Sequence, residues 1–154
     1  MQVRLDYHQA APAAFKAMLA LESAVHRSSL EPALIELVKM RASQINGCAY
    51  CLDMHSQDAR AAGETEQRLY LLNAWREAPF YSARERAALA WTEALTQVST
   101  HDVSDALYAE VHQEFSDQAL VELTLAIIAI NGWNRLSIGF RSQAGTYVPP
   151  GKTK

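Results

Sequence analysis

The feature that most restricts the fold is hydrophobic spacing: apolar residues recur every three or four positions from residue 12 to about 141, and strand-like alternation never persists. After Pro12, Phe15, Met18, Leu19, Glu22 and Val25 trace an amphipathic helix to about His26. Ser28 and Ser29 offer caps, and Pro32 suits the first turn of a second helix. Leu34, Ile35, Val38, Arg41, Ala42 and Ile45 form one broad face of that helix. Asn46-Gly47 is its stop, because glycine accepts the left-handed conformation. A third helix is predicted from about Cys48 to Ala62, closed by Gly63, and Thr65 caps a fourth containing Leu69, Leu72 and Trp75. Ser82-Ala-Arg-Glu85 is a capping box that opens a fifth, through Val98. Ser104 and Ser116 start a sixth helix and a long apolar seventh reaching about Arg141. Six to eight helices joined by short loops predict an all-α fold.

The chain of 154 residues is long enough for one domain, taken as residues 1–154, with a flexible tail expected over 143–154. Area scaling has a chain of this size burying about 70% of its extended surface, and 49% hydrophobic residues supply the core without staples. A net charge of −3 with no Lys/Arg cluster disfavours nucleic acid or an anionic membrane as partner. No apolar signal stretch opens the chain, and the greasiest run, Ala119–Ile130, carries Glu122 and is too short to span a bilayer. The expected location is the cytoplasm. No glycine-rich phosphate loop precedes a helix.

Chemistry concentrates around the two cysteines, Cys48 and Cys51, which form a C-x-x-C. In a reducing compartment this motif is more often catalytic or metal-binding than structural. A disulfide across so short a loop also restricts the unfolded chain little. At about 100° per residue, Cys51 lies at about 300° and His55 at about 340° relative to Cys48, so all three share one helical face. Cys51 and His55 are i,i+4 neighbours. A thiolate nucleophile, an imidazole to handle its proton and a second thiol to close a disulfide are the parts of thiol redox chemistry. Two arguments compete over which sulfur reacts first. The helix N-terminus favours Cys48, and the imidazole favours Cys51.

A zinc site from Cys48, Cys51, His55 and Glu36 is the competing reading, although ligands on one helical face converge poorly around a single ion. Glu36 by itself is most simply a solvated partner of Lys39, three residues on. His8, His26, His101 and His112 read as surface or capping residues. Trp75, Trp91 and Trp133 read as core or subunit interface.

The segment from Glu36 through Gln-Ile-Asn-Gly to Cys48-Ala-Tyr-Cys51 and His55 resembles the signature of alkylhydroperoxidase D-like proteins, of the carboxymuconolactone decarboxylase superfamily. Their pattern is Glu, eleven residues, C-x-x-C, three residues, His. Ser56-Gln-Asp-Ala-Arg60 and Ile130-Asn-Gly-Trp-Asn-Arg135 match as well, so the resemblance spans about residues 30–141. It implies an all-helical fold, trimers or hexamers, and reduction of peroxides. Cys51 would become the sulfenic acid, Cys48 the proton donor and resolving thiol, and Glu36 and His55 a proton relay. No cofactor or metal is implied, only an external dithiol such as a lipoyl or thioredoxin-like protein. The best-known members carry histidine where this chain has Tyr50, which can donate a hydrogen bond but is a poor base near neutrality. The lactone reaction fits poorly, because the decarboxylases generally lack the cysteine pair. A redox-sensing protein switched by the Cys48–Cys51 disulfide is the alternative function.

Overall fold

A computed structural model describes residues 2–149, and among them every regular element is helical. In chain order these are α1 (Tyr7–Ala10), α2 (Pro12–His26), α3 (Pro32–Asn46), α4 (Ala49–Ala61), α5 (Glu66–Leu71), a 3-10 turn over Leu72–Ala74, α6 (Ala83–Thr96), α7 (Asp105–Glu114) and α8 (Asp117–Phe140). Local chemistry accounts for the starts. Thr65, Ser82, Ser104 and Ser116 each accept a backbone N–H of the first turn, and Ser82 with Glu85 completes the capping box. Pro12 and Pro32 occupy first-turn positions, where a missing N–H costs nothing. Sequence spacing did not reveal α1, a single turn set by Asp6, whose carboxylate accepts from the backbone N–H groups of His8 and Gln9 at 3.0 and 3.2 Å.

Helix α3 is the centre of the fold. It packs against α4, α6 and α8. Its residues Leu34, Ile35, Leu37, Val38, Lys39, Met40, Ala42 and Ser43 are all buried, so the broad single face read from the sequence closes nearly into a full circle. One core joins Val38 to Trp91, Val111, Phe115, Leu123 and Ile127. A second joins Leu37 and Met40 to Leu69, Leu72, Trp75 and Leu89. A third, smaller cluster sets Ala42 and Ile130 against Cys48 and Cys51. Helix α2 behaves differently. Only its Val25 is buried, and Phe15, Met18 and Glu22 of its inner face remain partly open.

Polar groups tie the layers. Glu93 of α6 accepts from Arg41 Nε and Trp75 Nε1, both at 2.8 Å, and from Arg76 Nη1 at 2.5 Å. After α8 the chain turns back over α4. Gly145 N–H donates to Asp53 at 2.7 Å and the Tyr147 hydroxyl donates to Asp58 at 2.8 Å. Within the segment expected to be flexible, Gly145 and Tyr147 are therefore bonded to α4, and 150–154 lie outside the described residues.

Burial pushes the Glu93 carboxyl up, but hydrogen bonds from Trp75, Arg76 and Arg41 and the Arg41 charge outweigh it and hold it below its ordinary value. A carboxyl with a depressed folded-state pKa contributes stability above its unfolded value, about 4.3, and loses it as pH falls through the folded value. Glu93→Ala leaves Arg41 Nε and Trp75 Nε1 without their acceptor and is expected to cost about 3 kcal/mol in urea unfolding at pH 7. In Glu93→Gln the decline of stability below about pH 4 should be shallower than in the parent.

Candidate active site

The turn between α3 and α4 is built around Gly47, which sits at φ 68°, in the left-handed region open to glycine. The Cys48 N–H then reaches back to Ser43 C=O at 3.0 Å, a Schellman closure. Cys48 is therefore the N-cap of α4, and its sulfur accepts the Cys51 N–H at 3.4 Å. Cys48 and Cys51 are joined as a disulfide, and both are 1% exposed. A network of side-chain amides pins this turn to α8. Asn46 Nδ2 donates to Asn134 Oδ1 at 2.8 Å and to Asn131 Oδ1 at 3.0 Å, and Asn134 Nδ2 donates to Ser43 Oγ at 3.0 Å. The Asn-Gly-Trp-Asn stretch of α8 thus holds the cysteine turn in place.

One turn beyond Cys51, His55 meets Glu36 of α3, Nδ1 to Oε2 at 2.9 Å. Both groups are largely buried, with His55 at 5% exposed and the Glu36 side chain at 14%. The simpler reading of Glu36 as a partner of Lys39 does not hold. Three positions along a helix allows contact, but the side chains diverge. Lys39, 1% exposed, is paired instead with Glu22 of α2. Glu22 is a hub, accepting also from Trp133 Nε1 at 2.9 Å and standing 3.0 Å from His26 Nε2. Burial raises the Glu22 carboxyl, but the Lys39 charge and hydrogen bond, the Trp133 indole and His26 bring it below its ordinary value.

These groups share the wall of one cavity of about 280 Å³. Cys51, His55, Glu36 and Tyr50 line it, whereas Cys48 does not. Burial, then the neighbouring Tyr7 phenol and Asp53 carboxylate, push the Tyr50 phenol above its ordinary value, so it stays protonated near neutrality and can donate a hydrogen bond but not act as a base. Among the described residues, no group of three or more His, Cys, Asp or Glu side chains is arranged to hold a metal ion.

Of the residues set aside from the sequence, His8, His26 and Trp133 also line the cavity. His26 lies one helical turn from Glu22, a spacing that could have revealed the pair. Nothing local links His8 or Trp133 to Cys51. His112 pairs with Asp117 at 2.7 Å, and His101 bonds Thr100, both away from the cavity. Trp75 and Trp91 are core residues.

The sequence profile described as the carboxymuconolactone decarboxylase family matches residues 12–94, more than half of the chain. The protein belongs to that family, within its alkylhydroperoxidase D-like branch. YdfG of Bacillus subtilis (strain 168), itself uncharacterised, is 44% identical over 146 residues, which cover 95% of this chain and 99% of YdfG. A crystal structure from Agrobacterium tumefaciens, of a protein of unknown function with a suggested AhpD role in antioxidant defence, is 45% identical with a TM-score of 0.91. That match covers 95% of this chain and all of the other. The debrominase Bmp8 shares the fold at 23% identity and a TM-score of 0.79, covering 88% of this chain and 73% of Bmp8.

Asn134 is fully buried, and its amide both accepts and donates within the network. Asn134→Ala removes the donor to buried Ser43 and leaves Asn46 with Asn131 as its remaining acceptor, and is expected to cost about 2 kcal/mol in denaturant unfolding. Hydrogen exchange at the Cys48 amide should accelerate with it, because the closure to Ser43 loses its support.

Proposed function

We propose that the protein is a cysteine-dependent hydroperoxide reductase in which Cys51 attacks and Cys48 resolves. The observation that carries this reading is the placement of Cys51, alone of the two sulfurs, on a cavity wall shared with the Glu36–His55 pair. The imidazole argument for Cys51 therefore outweighs the helix-terminus argument for Cys48. The suggested antioxidant role of the Agrobacterium tumefaciens protein agrees with it.

In the reduced protein, His55 takes the Cys51 proton, and the Glu36 carboxylate orients and supports the resulting imidazolium. The Cys51 thiolate attacks the terminal peroxide oxygen. The O–O bond breaks, an S–O bond forms, and the alkoxide leaves as alcohol after taking a proton from the Cys48 thiol. The Cys48 thiolate then attacks the Cys51 sulfenic acid. Its hydroxide leaves as water with the proton held on His55, and the disulfide forms. Two thiols and one hydroperoxide become one disulfide, one alcohol and one water. An external dithiol, of lipoyl or thioredoxin-like type, returns the two electrons. The chemistry requires no resident cofactor or metal, and the acting form is a homo-trimer or homo-hexamer.

Reduced protein supplied with tert-butyl hydroperoxide and dihydrolipoamide should consume peroxide catalytically. Cys51→Ser is expected to abolish turnover, while Cys48→Ser should stop after one equivalent, with a sulfenic acid trappable by dimedone. Full activity in Cys51→Ser refutes the assignment. Stoichiometric oxidation without turnover in the parent points instead to a redox switch. Glu36→Gln removes the charge that supports the imidazolium, so Cys51 alkylation in the reduced protein should titrate at higher pH than in the parent.

A further inference from the structure

The cavity over Cys51 is built for a particular kind of molecule. Rings from α1, α2 and α8 form part of its wall, among them Tyr7, His8, Phe15 and Trp133. The His8 and Phe15 rings stack at 4.0 Å with 16° between their planes, and Phe15 meets Trp133 edge-on at 5.8 Å and 72°. Glu22 fixes the indole through its N–H, so the wall is preformed. At about 280 Å³ the space exceeds the roughly 150 Å³ that encloses benzene. It lies at the small end of ordinary ligand pockets, roughly 300 to 1,000 Å³. A single ring with a short substituent fills it, and a longer chain would extend out of its open side.

The polar side of the cavity sets the charge of the occupant. Lys39 is a buried ammonium with three N–H donors, and among the described residues its recorded acceptor is Glu22. It has donors to spare for an oxygen of the ligand. Three carboxylates, Glu22, Glu36 and Asp58, line the same cavity. Lys39 and His26 face Glu22 and His55 faces Glu36, whereas Asp58 is bonded to the uncharged Tyr147 hydroxyl. Lys39 is the one ammonium against these three carboxylates, so an additional anion would enter a site richer in acidic groups than in permanent cations.

We propose that this cavity selects uncharged, single-ring aromatic molecules bearing one oxygen acceptor, the ring against Phe15 and Trp133 and the oxygen toward Lys39. As a statement about substrates, this rests on the reductase reading, in which the occupant is an aryl-substituted alkyl hydroperoxide.

The test uses the full-length disulfide form, which cannot turn over, with 2-phenyl-2-propanol as the probe and the Trp133 indole N–H resonance as the readout. Saturable shifts are expected, with tert-butanol binding about tenfold more weakly. Benzamide should bind about tenfold more tightly than benzoate, its anionic counterpart. Phe15→Leu, which keeps apolar bulk without a ring, should weaken 2-phenyl-2-propanol severalfold. The pair Lys39→Met with Glu22→Gln, which removes donor and counter-charge together, should do the same. Equal binding of tert-butanol and 2-phenyl-2-propanol, or of benzoate and benzamide, overturns the proposal. So does the absence of any saturable indole shift. The ring and charge preferences without peroxide consumption by the reduced protein uphold the ligand class and refute the reductase reading. Peroxide consumption without those preferences refutes the ligand class alone.

Discussion

A helix buried on nearly all sides must give every polar side chain it carries a partner, because an unpaired charge away from water costs several kcal/mol. Helix α3 is such a helix, and it carries Glu36, Lys39 and Ser43. Each is met from a different neighbour: Glu36 by His55 of α4, Lys39 by Glu22 of α2, and Ser43 by Asn134 of α8. These pairings fix how the three helices sit around α3. They also place the site, because two of them line the cavity onto which Cys51 opens.

The two sulfurs differ because of where the turn puts them. Cys48 caps α4 and packs inward beside Ala42 and Ile130, so it is close enough to bond Cys51 yet withdrawn from the cavity. Cys51 lies one turn later on the same face, next to His55. A sulfur that meets the cavity and a second sulfur shielded from it follow from that one-turn offset. The Gly47 turn and the amide network of Asn46, Asn131 and Asn134 preserve the offset by removing freedom at the α3–α4 junction.

Helix α2 packs against α8 but is only partly buried, because part of its inner face, Phe15 and Glu22, borders the cavity. Phe15 and Glu22 have the spacing of a core face, and the spacing alone gives no sign that they line a cavity. Among the described residues no helix is long and apolar enough to cross a membrane, in line with the short, Glu122-interrupted run in α8.

The sequence by itself determined the helical class, most helix starts and the shared face of Cys48, Cys51 and His55. These depend on interactions within a few residues: caps, first-turn prolines, a left-handed glycine and the 3.6-residue repeat. Tertiary structure decided which charges meet. Lys39 is three residues from Glu36 and seventeen from Glu22, yet it pairs with Glu22, because a buried side chain takes the partner that packing presents. The same holds for Trp133, which reaches Glu22 across 111 residues, and for His8 and Tyr7, which the short α1 carries to the cavity. The grouping of the motif's residues was legible because its spacing is local. The shape, charge and aromatic lining of the space in front of Cys51 were not, because helices distant in sequence build them.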